Sequence, residues 1–87
     1  MEKIILDGKF LLEKEMAHTY LKQKLNLPEY YGRNLDALFD CLTECSEIEI
    51  EICLREERSI FLENVISVFE DAAEENENIS IAILENK

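Results

Sequence analysis

The 87-residue chain has no tryptophan, one proline, two glycines and one histidine. With 47% apolar and 33% charged residues and so few backbone breakers, it is not a disordered or low-complexity segment. Cations are scarce as well: nine Lys/Arg stand against 20 Asp/Glu, a net charge of −11. A field of that sign repels phosphate and anionic lipid, so neither nucleic acid nor membrane is expected as a partner. The apolar residues of MEKIILDGKFLL are interrupted by Asp7, Gly8 and Lys9, and no small-residue cleavage site follows. Neither a signal peptide nor a transmembrane helix is expected, and the cytoplasm is the expected location. Cys41, Cys45 and Cys53 are odd in number and form no CxxC pair, which fits reduced thiols better than a disulfide framework. Cys41, Cys45 and His18 make no zinc knuckle, and no Gly-rich phosphate loop or Ser/His or Cys/His arrangement is present. No metal or cofactor is expected.

The length suits one domain with one core. Its acidity lies in the second part: residues 1–33 carry six Lys/Arg and five Asp/Glu, residues 34–87 three and fifteen. Lys3–Leu6 is a short apolar run closed by the turn signal Asp7-Gly8, a first strand. Leu12, Met16, Tyr20 and Leu25 recur at helical spacing and predict a helix over 12–25 that stops before Pro28, with His18 on its surface. Leu35, Leu38, Phe39 and Leu42 predict a second helix from an Asn34 cap to about Cys45. Ile48–Leu54 alternates as a strand with one buried face and one wetter face bearing Glu49 and Glu51. Phe61, Val65, Val68, Phe69, Ala72 and Ala73 form the apolar side of a third helix reaching about Glu75. Ile79, Ile81 and Ile83 alternate in a last strand. Strands separated by helices predict an α/β fold with a small three-stranded parallel sheet packed by helices.

The placement of acids is uneconomical for stability alone. Asp36 and Asp40 are like charges four apart on one helix, a cost of about 0.2–0.5 kcal/mol. Glu70, Asp71, Glu74, Glu75 and Glu77 crowd the C-terminal end of the third helix, where the dipole disfavours anions by about 0.3–1 kcal/mol each. A solvated face that keeps the chain soluble accounts for any one of these runs. A surface that recognises a basic protein accounts for them together.

The stretch LPEYYGRNLDALFDCLT, residues 27–43, closely resembles the corresponding segment of the barstar family, intracellular inhibitors of barnase-type ribonucleases. The resemblance runs along essentially the whole chain, through VFEDAAEE to the closing Ile-alternating strand. It implies a barstar-like fold and a one-to-one complex with a basic, barnase-like ribonuclease. It places Tyr30, Asn34, Leu35, Asp36, Phe39, Asp40 and Thr43 at inhibitory-surface positions, with Val68 and Asp71 of the third helix beside them. Asp40 matches the aspartate that fills the substrate phosphate site, Asp36 and Asp71 would meet other basic groups, and Tyr30 would lie against the catalytic histidine. Gly32 would let the loop turn, and Tyr31 belongs to the core. The chain departs from the family in having Phe39 and Cys45 where tryptophans are usual, Glu44 for a glycine and Asp71 for a glutamate. The segment between the second strand and third helix is shorter, so the family's small extra helix is expected to be missing.

Simpler readings stand beside these. Tyr30 could pack the helix entrance, Phe39 could be wholly core, and Cys41 and Cys45 could be small hydrophobes. Three functions follow: a ribonuclease inhibitor, a barstar-like module for another basic protein, or an enzyme using Asp36 and Asp40 as a carboxylate pair. The last has no evident cleft.

Overall fold

The computed structural model describes residues 2–29 and 31–85. Strand β1 (Glu2–Asp7) is followed by a 3-10 turn (Gly8–Phe10), α1 (Lys14–Lys24), α2 (Leu35–Thr43), β2 (Ile48–Leu54), α3 (Ile60–Glu75) and β3 (Ile79–Glu85). The strands form one parallel sheet in the order β1-β2-β3, with Ile4, Ile50 and Ile81 in register. The expected α/β architecture is therefore present.

The alternation in β2 sets the layering. Ile48, Ile50, Ile52 and Leu54 are buried, while Glu49, Glu51 and Cys53 between them are half-buried. On the edge strands the residues in register with the latter set include Ile5 and Leu84, which are 52% and 47% exposed. Both crossovers step the same way across the sheet, and right-handed crossovers of that kind place the helices on one face. The sheet is thus covered on one side, and Leu38, Leu42, Leu62, Val65 and Phe69 complete the core there. Gly8 is required where the chain leaves β1, because a Cβ there would lie 2.9 Å from the Cys53 carbonyl oxygen. The same edge is tied by Arg55, whose guanidinium donates to both carboxylate oxygens of Asp7 at 3.0 and 2.7 Å. That pair draws the Asp7 carboxyl down to about 2.

Helix α1 departs from its expected bounds and phase. Leu11 and Leu12 lie in a bend after the 3-10 turn, and the Leu12 carbonyl accepts from Ser59 Oγ instead of starting a helix. The inward line is Ala17, His18 and Leu21, whereas Met16 is 48% exposed and Leu12, Tyr20 and Leu25 are half-buried. Two polar contacts set this rotation. The Tyr20 hydroxyl accepts from the Asp7 amide at 2.8 Å, and His18 Nδ1 pairs with the Tyr31 hydroxyl. His18 is consequently a core residue, 1% exposed, and not a surface one. The helix is stopped by Asn26, at φ 52, before Pro28 acts. Its amide and that of Leu27 close back on the carbonyls of Gln23 and Lys22, a Schellman ending with asparagine in the left-handed position.

Helix α2 starts where Asn34 Oδ1 accepts from the Ala37 amide at 2.8 Å, and it ends at Thr43, two residues short of the expectation. Helix α3 starts at Ser59, whose Oγ accepts from the Leu62 amide. Its buried line is Leu62, Val65, Phe69 and Ala72, with Phe61, Val68 and Ala73 half-buried beside it. Residues 55–59 contain no helix.

Leu38 is fully buried in this layer. Leu38→Ala should lower stability by about 2–5 kcal/mol through lost burial and a residual cavity. Chemical denaturation checks this, and a midpoint unchanged from the parent would refute the packing described.

Candidate functional site

The loop before α2 is anchored from below. Leu27 and Tyr31 are buried, and the Tyr31 amide donates to the Pro28 carbonyl at 3.0 Å. Tyr31 therefore belongs to the core as expected, while Tyr30 lies outside the described residues. Gly32 does not supply the turn. Arg33 does, at φ 54, with its guanidinium donating to Thr19 Oγ1 on α1. At Gly32 the constraint is space: a Cβ would lie 3.2 Å from Asn34 Nδ2, which donates to the Gly32 carbonyl.

The outer side of α2 carries Asp36 and Asp40, with Glu44 as its C-cap, and all three are exposed. Thr43 is half-buried, its hydroxyl donating to the Asp40 carbonyl at 2.9 Å. Leu35 and Phe39 are half-buried against the core, so Phe39 is not wholly interior. Helix α3 packs against α2 and contributes a half-buried Val68 and an exposed Asp71. Ion pairs among the described residues join Lys3 to Glu51, Lys22 to Glu29, Arg55 to Asp7 and Arg58 to Glu85. None engages Asp36, Asp40, Glu44 or Asp71. The acids of α2 and α3 thus present uncompensated charge, which draws cationic groups.

Sequence reasoning missed the residue that joins these two helices. Asn76, the C-cap of α3, is buried, and its Nδ2 lies 3.1, 3.2 and 3.1 Å from the carbonyl oxygens of Leu42, Thr43 and Cys45. The Leu42 carbonyl also accepts from the Cys45 amide at 3.2 Å, whereas those of Thr43, the last residue of α2, and of Cys45 just beyond it lie past the reach of the helix's own amides. Asn76 Oδ1 accepts from the Asn78 amide at 3.0 Å, which turns the chain toward β3. The only hint in the sequence is the Asn-Glu-Asn between an acidic helix and an alternating strand.

The thiols near this surface are protonated. Burial pushes Cys41 and Cys45 up, and nearby Glu44 raises both further. Cys45 Sγ donates to the Cys41 carbonyl at 3.3 Å. Among the described residues no three His, Cys, Asp or Glu side chains converge as a metal site, and no helix is long and apolar enough to cross a membrane.

Two outcomes follow from these buried polar groups. Asn76→Ala leaves the Thr43 and Cys45 carbonyls without the Asn76 donor and should cost about 2–3 kcal/mol, read by denaturant unfolding. Asn76→Ala unfolding like the parent would show that the helices are joined by packing alone. For His18, burial first, then the charges of Arg33 and Lys14, hold the imidazole below its ordinary value of 6.5. The unfolded chain then takes up the proton first as pH falls. His18 stabilises fully above pH 6.5, and that stability is lost between 6.5 and the lower folded value. His18→Gln should flatten this slope; an unchanged profile would place it elsewhere.

Comparison with known proteins places the geometry in context. Residues 1–85 match the family model described as "Barstar (barnase inhibitor)". A Bacillus subtilis (strain 168) protein named "Putative ribonuclease inhibitor YrdF" is 43% identical over 81 residues, covering 86% of this chain and 89% of its own length.

Proposed function

The chain belongs to the barstar family, and from that premise we propose that it inhibits a basic, barnase-like ribonuclease in the cytoplasm by closing the enzyme's cationic active site in a one-to-one complex. The observation that carries this reading is the set of exposed carboxylates on α2 and α3 that no cation of the described chain neutralises. A ribonuclease holds phosphate with Arg, Lys and His. A carboxylate on a rigid helix can replace that phosphate with charge-assisted hydrogen bonds and offers no bond to cleave. The protein is then an inhibitor and not an enzyme.

In this reading Asp40 enters the phosphate site, and Asp36 and Asp71 engage the flanking basic groups. Asn34, Leu35, Phe39, Thr43 and Val68 form the half-apolar ground between them, with Gly32 in the adjoining loop, and Tyr30 is assigned to the same contact by the family resemblance alone. Glu44 adds charge at the rim. A second reading, a module for another basic protein, is favoured by Phe39, Glu44 and Cys45, which stand where the family usually has tryptophan, glycine and tryptophan.

Asp40→Asn separates binding from folding. In the free protein it removes a like-charge neighbour of Asp36 and Glu44, so stability should stay level or rise by a few tenths of a kcal/mol. In the complex it leaves buried cations of the nuclease without their counter-charge, which should cost about 3–5 kcal/mol. Denaturation of the free protein and dissociation kinetics of the complex check the two signs. A variant that unfolds more easily yet dissociates at the parental rate would return Asp40 to ordinary surface charge. The association rate should also fall as salt rises, since steering is screened beyond about 8 Å at physiological ionic strength; stopped-flow rates unchanged between low and high salt would contradict it.

A further inference from the structure

The first turns of all three helices meet at an open groove of about 440 Å³, lined by Lys14, His18, Asn34, Leu35, Asp36 and Phe61. Helix N-termini present unbonded amides and the positive end of the dipole. A second and independent feature, His18, borders the same space. His18 is 1% exposed, its Nδ1 is engaged by the Tyr31 hydroxyl, and its Nε2 is buried with no hydrogen-bond partner.

The tautomer follows from the partners. Burial pushes the Tyr31 hydroxyl up to about 12, so it keeps its proton at neutral pH. If Nδ1 carried the imidazole proton, both the tyrosine proton and the Nε2 lone pair would lack partners. With Tyr31 donating to Nδ1, the proton sits on Nε2, and a single N–H donor is left unmatched. Phe61, half-buried, stands edge-on to the imidazole with ring centroids 5.7 Å apart. Lys14 adds a cation at the groove, and Arg33 lies close enough, held by Thr19, to act on the same ring. One end of an otherwise acidic surface is therefore rich in donors.

We propose that this groove is a socket for a carboxylate, an aspartate or glutamate side chain of the partner nuclease, with His18 Nε2–H and Lys14 as its donors. As an identification of the partner it rests on the inhibitor reading; as an anion site it does not. Asp36 also lines the groove and opposes a multiply charged anion, which favours a singly charged carboxylate over a phosphate. The recognition surface is then bipolar, acidic along α2 and α3 and positive where the helices begin. Such a pattern fixes the register of docking, which uniform acidity cannot do.

The test uses the free protein with acetate as the probe, and then the complex. Titrating acetate at constant pH and ionic strength should give a saturable shift of the His18 Nε2 resonance in the 15N-labelled protein, abolished in Lys14→Glu. That substitution puts an acid in the first turn of α1, where the dipole favours it, so the fold is kept. Against a barnase-like nuclease Lys14→Glu should weaken binding at least tenfold, although it makes the inhibitor more acidic and would tighten a purely field-driven complex. Absence of a saturable acetate response overturns the socket, whatever the nuclease does. Unchanged or tighter binding by Lys14→Glu overturns the partner carboxylate. A saturable acetate response in a protein that binds no ribonuclease leaves the socket standing and defeats the inhibitor reading instead.

Discussion

The candidate surface depends on one side chain that is not part of it. The Asn76 amide reaches the last carbonyls of α2 from the end of α3 and so fixes the C-terminal ends of the two acidic helices to each other. Apolar packing between helices tolerates sliding and rotation, because dispersion contacts have little directional preference. A buried amide whose two N–H donors serve three carbonyls does not, since displacing it leaves its own donors and the Thr43 and Cys45 carbonyls without these bonds. The relative setting of Asp40, Thr43 and Glu44 against Val68 and Asp71 is inherited from that fastening. At the other end of α2, Asn34 caps the helix and the loop beneath it rests on buried Leu27 and Tyr31.

The fold tolerates the acids because its stability is built elsewhere. A fully buried line of Leu6, Ile50, Ile52, Leu38, Leu62 and Phe69 joins sheet and helices, and the burial is independent of surface charge. Local repulsion between Asp36 and Asp40, or at the acidic end of α3, costs tenths of a kcal/mol to about one each. Four ion pairs among the described residues use other carboxylates, on the three strands and just after α1, and leave the outer faces of α2 and α3 unneutralised. The same uncompensated charge that weakens the free protein slightly is available for a cationic partner. His18 and Tyr31 play a comparable double part: their contact ties α1 to the loop and also leaves His18 Nε2 without a hydrogen-bond partner in a residue that lines the groove.

Much of this was readable from residue order, for physical reasons. Strand β2 alternates with period two over seven residues, and a strand with one covered face must do so. Helices α2 and α3 begin at Asn34 and Ser59 because those side chains bond the free amides of the first turn. The phase of helix α1 is not legible in residue order, because Met16, Tyr20 and Leu25 look like a stripe while the rotation is decided by hydrogen bonds of Tyr20 and His18 to residues 13 positions away. The role of Asn76 is hidden for the same reason, its acceptors lying 31 to 34 residues earlier in the chain. Gly32 invited the role of turn-maker, yet the left-handed position belongs to Arg33. The acids were legible as a pattern, and their assignment to an inhibitory surface came from resemblance of residues 27–43 to a family and not from periodicity.

The most direct test of the account is a stoichiometric titration of the purified, reduced protein into a barnase-like ribonuclease while RNA cleavage is followed. The expected result is a linear loss of cleavage that reaches completion at one equivalent. Cleavage that continues at the parental rate with the protein in excess would contradict the account and point to a different basic partner.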